Sequence, residues 1–156
     1  MDKVTTWLWS NGTAEEQARF YTALVPGSAI TRIMRAAIDN PSTPAGAVLT
    51  VEFTLAGRSF ALLNGGDAFR QSEAASLMIL CEDQAELDRY WDAFLAEGGT
   101  ESACGWLKDR WGVSWQITPL RLLELNSDPV HGAKAMAAMM EMRRIDIAAL
   151  ERAIAS

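Results

Sequence analysis

Residues 104–116 gather most of the side chains in this chain that could do chemistry. The end of that segment, running into Pro119, alternates bulky apolar and small polar residues, the period of a strand with two unlike faces. Val113, Trp115 and Ile117 form one face, and Ser114, Gln116 and Thr118 form the other. A row of hydroxyls and a carboxamide can donate and accept hydrogen bonds, which suits it to orienting a small polar molecule in a cleft. Just upstream, Lys108-Asp109-Arg110 could hold an anionic ligand, serve an acid–base step, or form a salt-linked surface turn, the commonest use of such a run. Glu52 alternates with apolar neighbours and points either into a cleft or to solvent. Asn64, before Gly65-Gly66, could reach a ligand or bond local backbone, the usual role of asparagine at a turn. Cys81 lies in an apolar strand pattern and reads as inert packing, whereas Cys104 sits beside Gly105 in a more open context. His131 is the only histidine, and no nucleophile elbow accompanies it, so hydrolase dyads find no support.

These residues need a scaffold, and the chain supplies it as a repeat. Residues 13–25 and 83–95 carry one helical pattern at an offset of 70. Thr13 and Asp83 are candidate N-caps, with Glu16 and Glu86 at capping-box spacing. Arg19 matches Arg89, Tyr21 matches Trp91, Leu24 matches Phe94, and glycines follow each helix at Gly27 and at Gly98-Gly99. Strands over 4–10 and 75–82 precede the two helices. Residues 57–62 echo residues 112–117 at an offset of 55, so the second copy is 15 residues shorter between helix and last strand. The first copy spends the extra length on residues 30–38, a loop over 39–46 and a strand over 47–55. Beyond residue 120 the pattern is helical, with Asp128-Pro129 as a cap, a Met-rich helix carrying Met136, Met139, Met140 and Met142, and a last helix over 146–155.

The fold class is therefore α+β: two βαβββ modules (1–66 and 75–119) forming a concave mixed sheet, then a helical tail over 120–156, in a single domain of 156 residues. Alternation assigns Thr6, Leu8, Ala61, Leu63, Ser76, Met78, Ser114 and Gln116 to the lining of an inter-module cleft. Trp7, Trp9, Phe60, Leu62, Leu77, Ile79, Trp115 and Ile117 would pack beneath the helices. A net charge of −6 speaks against nucleic acid or an anionic membrane as partner. The absence of a long apolar run and of a leader-like start, with only two cysteines, points to a cytoplasmic protein with reduced thiols.

The chain resembles the vicinal oxygen chelate superfamily, which includes glyoxalase I, extradiol dioxygenases and bleomycin-resistance proteins. More closely, it is similar to the PhnB-like branch, often labelled 3-demethylubiquinone-9 3-methyltransferase. The matching residues are Trp9, Ala14-Glu-Glu16, Phe20-Tyr21, Val51-Glu-Phe53, Leu63-Asn-Gly-Gly66, Asp88-Arg-Tyr-Trp91, Cys104-Gly-Trp-Leu-Lys-Asp-Arg110, Gly112-Val-Ser-Trp-Gln116 and Ile145-Asp-Ile-Ala-Ala-Leu150. The resemblance implies a glyoxalase-like fold. In metal-dependent relatives it implies four inward His, Gln or Glu ligands, on the first and last strand of each module, holding a divalent ion that polarises substrate oxygens. The repeat places those positions at Thr6, Ala61, Ser76 and Gln116, of which only Gln116 is a credible ligand. No cofactor is expected on that account, and a divalent metal would have an incomplete set. Methyl transfer, which the label suggests, would want a glycine-rich strand-to-helix turn, and no helical pattern follows Gly65-Gly66. The leading expectation is a homodimeric small-molecule-binding protein with its Met-rich tail near the interface. The alternative is a metal-dependent isomerase, dioxygenase or hydrolase.

Overall fold

The computed structural model describes residues 2–155. The chain divides into two compact units, 1–70 and 71–156. In the first, β1 (Thr6–Ser10), α1 (Ala14–Leu24), β2 (Ala29–Arg35), β3 (Val48–Leu55) and β4 (Arg58–Asn64) follow in order. In the second, β5 (Ser76–Cys81), α2 (Gln84–Ala96), β6 (Thr100–Glu101), β7 (Trp106–Lys108) and β8 (Ser114–Pro119) repeat that order. The tail adds α3 (Leu120–Ser127), α4 (Gly132–Met140) and α5 (Ile147–Ala155). Each unit builds a four-stranded mixed sheet, ordered β1-β4-β3-β2 in one and β5-β8-β7-β6 in the other. The first and last strands of each unit pair in parallel, across the helical crossover, and the remaining pairs are antiparallel. Two βαβββ modules with C-terminal helices are thus present as the sequence repeat predicts.

Burial follows the repeat. Tyr21 and Trp91, matched by the offset of 70, are both fully buried against their own sheets. Tyr21 meets Phe53 at 6.2 Å between ring centroids, and Phe53 stacks on Phe60 at 5.6 Å. In the second unit Phe94 meets Trp115 at 4.9 Å. Gly57 and Gly112, matched by the offset of 55, take the same left-handed backbone (φ +80° and +87°) at the turn into the last strand. The shortening of the second copy falls on its middle strands, since β6 has two residues and β7 three.

The helix starts depart from expectation in one unit. Asp83 accepts a hydrogen bond from Glu86 N at 2.8 Å, and Glu86 Oε2 accepts from Glu82 N at 2.8 Å, a capping box displaced by one residue on its return arm. Thr13 makes no such bond. Instead Asn64 Oδ1, from the end of β4, accepts from Ala14 N at 3.0 Å. In the tail, Asp128 Oδ1 accepts from Val130 N and His131 N, so it closes a turn and the helix begins at Gly132, later than Asp128-Pro129 suggested.

The tail is stitched to the second unit. Cys104 N and Gly105 N donate to Met142 O and Arg143 O at 2.8 and 2.7 Å. Gln84 of α2 donates to Ile145 O and accepts from Ile147 N, and Arg144 reaches Asp88 and Asp92. Ile145 and Leu150 are fully buried as a result.

Candidate functional site

Each sheet turns one face to its helix, and register shows what occupies the other. Directly paired residues project to the same side of a sheet. In the second unit Ser76 pairs with Ser114, Met78 with Gln116 and Leu80 with Thr118, while Leu77 and Ile79 pair with Trp115 and Ile117 on the α2 side. The alternation read from the sequence therefore holds: Ser76, Met78, Ser114 and Gln116 share the open face. On β7 the pairs Trp106–Gln116 and Lys108–Ser114 bring two more side chains onto it. Gln116 Nε2 donates to Ser76 Oγ at 2.8 Å, which fixes the carboxamide along the sheet. Met78 and Leu80 are 45% and 47% exposed and supply an apolar border.

In the first unit the phase of β1 is the reverse of the sequence reading. Thr6 pairs with Phe60 and Leu8 with Leu62, so both lie on the α1 face, and Leu8 is buried. Trp7 and Trp9 pair with Ala61 and Leu63 on the open face, where Trp7 is 51% exposed. The cause is one residue. Ser10-Asn11-Gly12-Thr13 links β1 to α1, whereas Cys81-Glu82-Asp83 links β5 to α2. The longer link contains Gly12 at φ +80°, and its extra residue raises the strand offset to 71 while the helices keep 70. A slip of one inverts every side chain of a strand. Ala61 and Leu63 remain on the open face as read, joined by Glu52 through its pairing with Ala61.

The polar residues singled out by the sequence have mostly structural work. Asp109 is buried, not on a surface turn. Its carboxylate accepts from Trp111 N at 2.9 Å, Val113 N at 3.0 Å and Trp115 Nε1 at 2.9 Å, closing the β7–β8 hairpin onto the core. Arg110 pairs with Glu97, and Lys108 Nζ meets Glu73 at 2.5 Å. Asn64 also donates to Val48 O at 2.9 Å, and Ser42 and Thr43 hydroxyls donate to its carbonyl. Gly65 lies under Trp9, whose ring a Cβ would meet at 2.2 Å, and Trp9 Nε1 donates to Gly66 O at 2.7 Å. The glycine pair is a seat for an indole, and the chain runs from it into strand β5 without a helix. Cys81 is fully buried, and burial first, with Glu86 and Asp83 adding to it, pushes its thiol up to about 12, so it stays neutral and unreactive.

The donors fit a divalent ion poorly. The open face of the second unit offers Gln116 and Ser76, already bonded to each other, and that of the first offers Glu52, 3.7 Å from Arg32. Among the described residues no group of three or more His, Cys, Asp or Glu side chains could hold a metal. His131 stands at the start of α4, 3.3 Å from Asp128.

A cavity of about 180 Å³ opens on the second unit, lined by Glu73, Thr100, Trp106, Lys108 and Ser114 among others. Sequence reasoning reached Ser114 through strand alternation but missed Glu73, Thr100 and Trp106. Their convergence depends on the pairing of the short strands β6 and β7 and on the course of the residues before β5.

No curated protein matches the chain. Among solved structures, the PhnB protein of Bacillus cereus is 33% identical with a TM-score of 0.67, the match covering 76% of this chain and 99% of that one. Protein PA1353 of Pseudomonas aeruginosa is 21% identical with a TM-score of 0.57, covering 74% and 95%. A glyoxalase/bleomycin resistance protein of Albidiferax ferrireducens is 19% identical with a TM-score of 0.46, covering 71% and 92%. A family model described as 3-demethylubiquinone-9 3-methyltransferase matches residues 2–118, which takes in both βαβββ modules and stops where the helical tail begins. With that match over both modules and a PhnB protein one-third identical across nearly its full length, the chain belongs to the PhnB-like 3-demethylubiquinone-9 3-methyltransferase family.

Proposed function

We propose that this protein binds a small organic molecule on the open face of its second sheet, with Ser76, Met78, Ser114 and Gln116 in contact with it. The observation that carries the reading is the polar row itself. Four polar side chains of β5 and β8, Ser76, Ser114, Gln116 and Thr118, share one face, Gln116 is held by Ser76, and exposed Met78 and Leu80 give the apolar surface that small-molecule sites need. Thr6 and Leu8 face α1, and Ala61 and Leu63, on the open face of the first sheet with Ala61 fully buried, belong to the other unit, so the reading rests on the second unit's residues.

Binding without a first-row metal fits these residues better, because among the described residues no three His, Cys, Asp or Glu side chains come together to hold one. Methyl transfer as the family description words it gains nothing from Gly65-Gly66, which serve Trp9. A homodimer in the cytoplasm completes the proposal. Met136 and Met140 of α4 are 47% and 58% exposed, an adaptable apolar surface of the kind subunits share. No helix among the described residues is long and apolar enough to cross a membrane.

Native mass spectrometry of untagged protein, with metal analysis on the same sample, tests this. The expected result is a dimer mass carrying a retained organic molecule and no stoichiometric metal. One divalent ion per chain would sink the metal-free reading. Protein that retains nothing, and whose Ser76, Met78 and Gln116 amides respond to no organic fragment, would sink the binding reading.

A further inference from the structure

Two buried side-chain oxygens of the second unit, Ser114 Oγ and Asn126 Oδ1, have no hydrogen-bond partner, and of these two residues Ser114 lines the cavity. Ser114 is 1% exposed. Buried polar atoms are nearly always paired, so an orphan that lines a cavity asks for a missing donor or acceptor. Lys108 lies directly opposite Ser114 in the β7–β8 register, so the two side chains leave the same face of the sheet as neighbours. Thr100 pairs with Lys108 from the other flank, which puts a second hydroxyl in the same row. The two carboxylates at the cavity are placed differently. Glu101 is turned away, to Trp91 Nε1 at 2.9 Å and Arg143 at 3.6 Å. Glu73 closes on Lys108, whose hydrogen bond holds that carboxyl below the usual range, yet it is 61% exposed and leaves Ser114 unserved.

We propose that Lys108 and Ser114 form a carboxylate site for a small organic acid, and that Glu73 fills the ammonium's side of it until the acid binds. The inference rests on the reading that the second sheet binds an organic molecule, and it names that molecule's class. A carboxylate has two oxygens, one to accept from Lys108 Nζ and one from Ser114 Oγ, so it serves both groups where Glu73 serves one. An exposed ion pair is worth little, so exchanging Glu73 for a ligand costs little. A single ammonium matches a monoanion, and a dianion would carry uncompensated charge into the cavity. Trp106 lines the cavity and pairs with Gln116, which pairs with Met78. The body of the acid would run along those three, which favours a flat, largely apolar body such as an aromatic ring.

The test is an amide-shift NMR titration of the full chain with benzoate and with its neutral counterpart benzamide, repeated in Glu73→Gln and Lys108→Gln. Benzoate is expected to move the Trp106, Lys108, Ser114 and Gln116 amides. It should bind about fivefold tighter once the competing carboxylate is gone and at least about tenfold weaker without the ammonium. Benzamide should bind at least about tenfold more weakly than benzoate to the unaltered chain. Glu73→Gln alters an exposed side chain outside the sheet, so its result stands even if Lys108→Gln disturbs β7. Benzamide matching benzoate, or benzoate affinity indifferent to Glu73→Gln, would overturn the carboxylate site while leaving organic binding on that face intact. Neither probe moving these amides in the wild type or Glu73→Gln would overturn both.

Discussion

The two units share strand order, helix and turn glycines, yet each spends its buried polar residue differently. In the first, Asn64 reaches from the end of β4 to the start of α1, to β3 through Val48, and to the loop hydroxyls of Ser42 and Thr43. That hub sits on the helix side of the sheet, and the open face carries Trp7, Trp9, Ala61, Leu63 and Glu52. In the second, α2 is capped locally by Asp83 and Glu86, and the buried carboxylate of Asp109 ties the β7–β8 hairpin to Trp115. With the helix end served by its own neighbours, β8 needs no asparagine there, and the open face carries Ser76, Ser114, Gln116 and Lys108. The same layout therefore places two tryptophans beside Ala61 and Leu63 on one open face, and a row of hydroxyls, a carboxamide and an ammonium on the other.

Removing Asp109 should break the second unit's side of that comparison most severely. Asp109→Ala strands two backbone N–H groups and the Trp115 indole N–H in a region where Trp115 is 1% exposed. The loss is expected to be about 3–5 kcal/mol of unfolding free energy, read as a lowered urea midpoint at constant slope. Asp109→Asn sharpens the point. Its carbonyl can still accept from the backbone, but its amide meets Trp115 Nε1–H donor to donor, so it should cost less than alanine and more than a surface change. Equal stability of wild type and Asp109→Asn would show that the indole bond is not what closes the hairpin.

Asn64→Ala tests the long-range hub. It removes the acceptor for Ala14 N and the donor to Val48 O, for an expected loss of about 2 kcal/mol. Asp83→Ala removes only a local cap at the start of α2 and should cost about 1 kcal/mol. Hydrogen exchange at the first turns of α1 and α2 reads both. The order should be reversed if α1 relies on Thr13 after all.

What the sequence showed and hid follows from range. Helix positions, the buried Tyr21 and Trp91, and the paired turn glycines are set by residues a few places apart, so periodicity exposed them. The open face of the second sheet was legible for the same reason, since β5 and β8 alternate cleanly. The phase of β1 was not. It turns on one extra residue in the link to α1, and no local pattern separates a register of 70 from one of 71. Alternation therefore put Trp7 and Trp9 beneath the helices, and pairing with Ala61 and Leu63 shows them on the other side. Asn64 and Asp109 were visible as residues, but their partners lie across turns and strands whose pairing must be known first.

Ser114→Ala is expected to have the smallest effect and the opposite sign. The hydroxyl is buried and unpartnered, so replacing it with a methyl group removes a desolvated polar atom without breaking any protein hydrogen bond. Stability should stay level or rise by up to about 0.5 kcal/mol, in contrast to the losses at Asp109, Asn64 and Asp83. A level or raised stability would fit the proposed carboxylate site, since binding sites commonly carry a stability cost. The counterpart on the first unit's last strand is Ser59, whose backbone N–H donates to Asp2 and whose hydroxyl accepts from Asp2 N, so it has the partner that Ser114 lacks. A clear destabilisation by Ser114→Ala in thermal and urea melts would mean that the hydroxyl has structural work within the second unit, and the contrast with Ser59 would disappear.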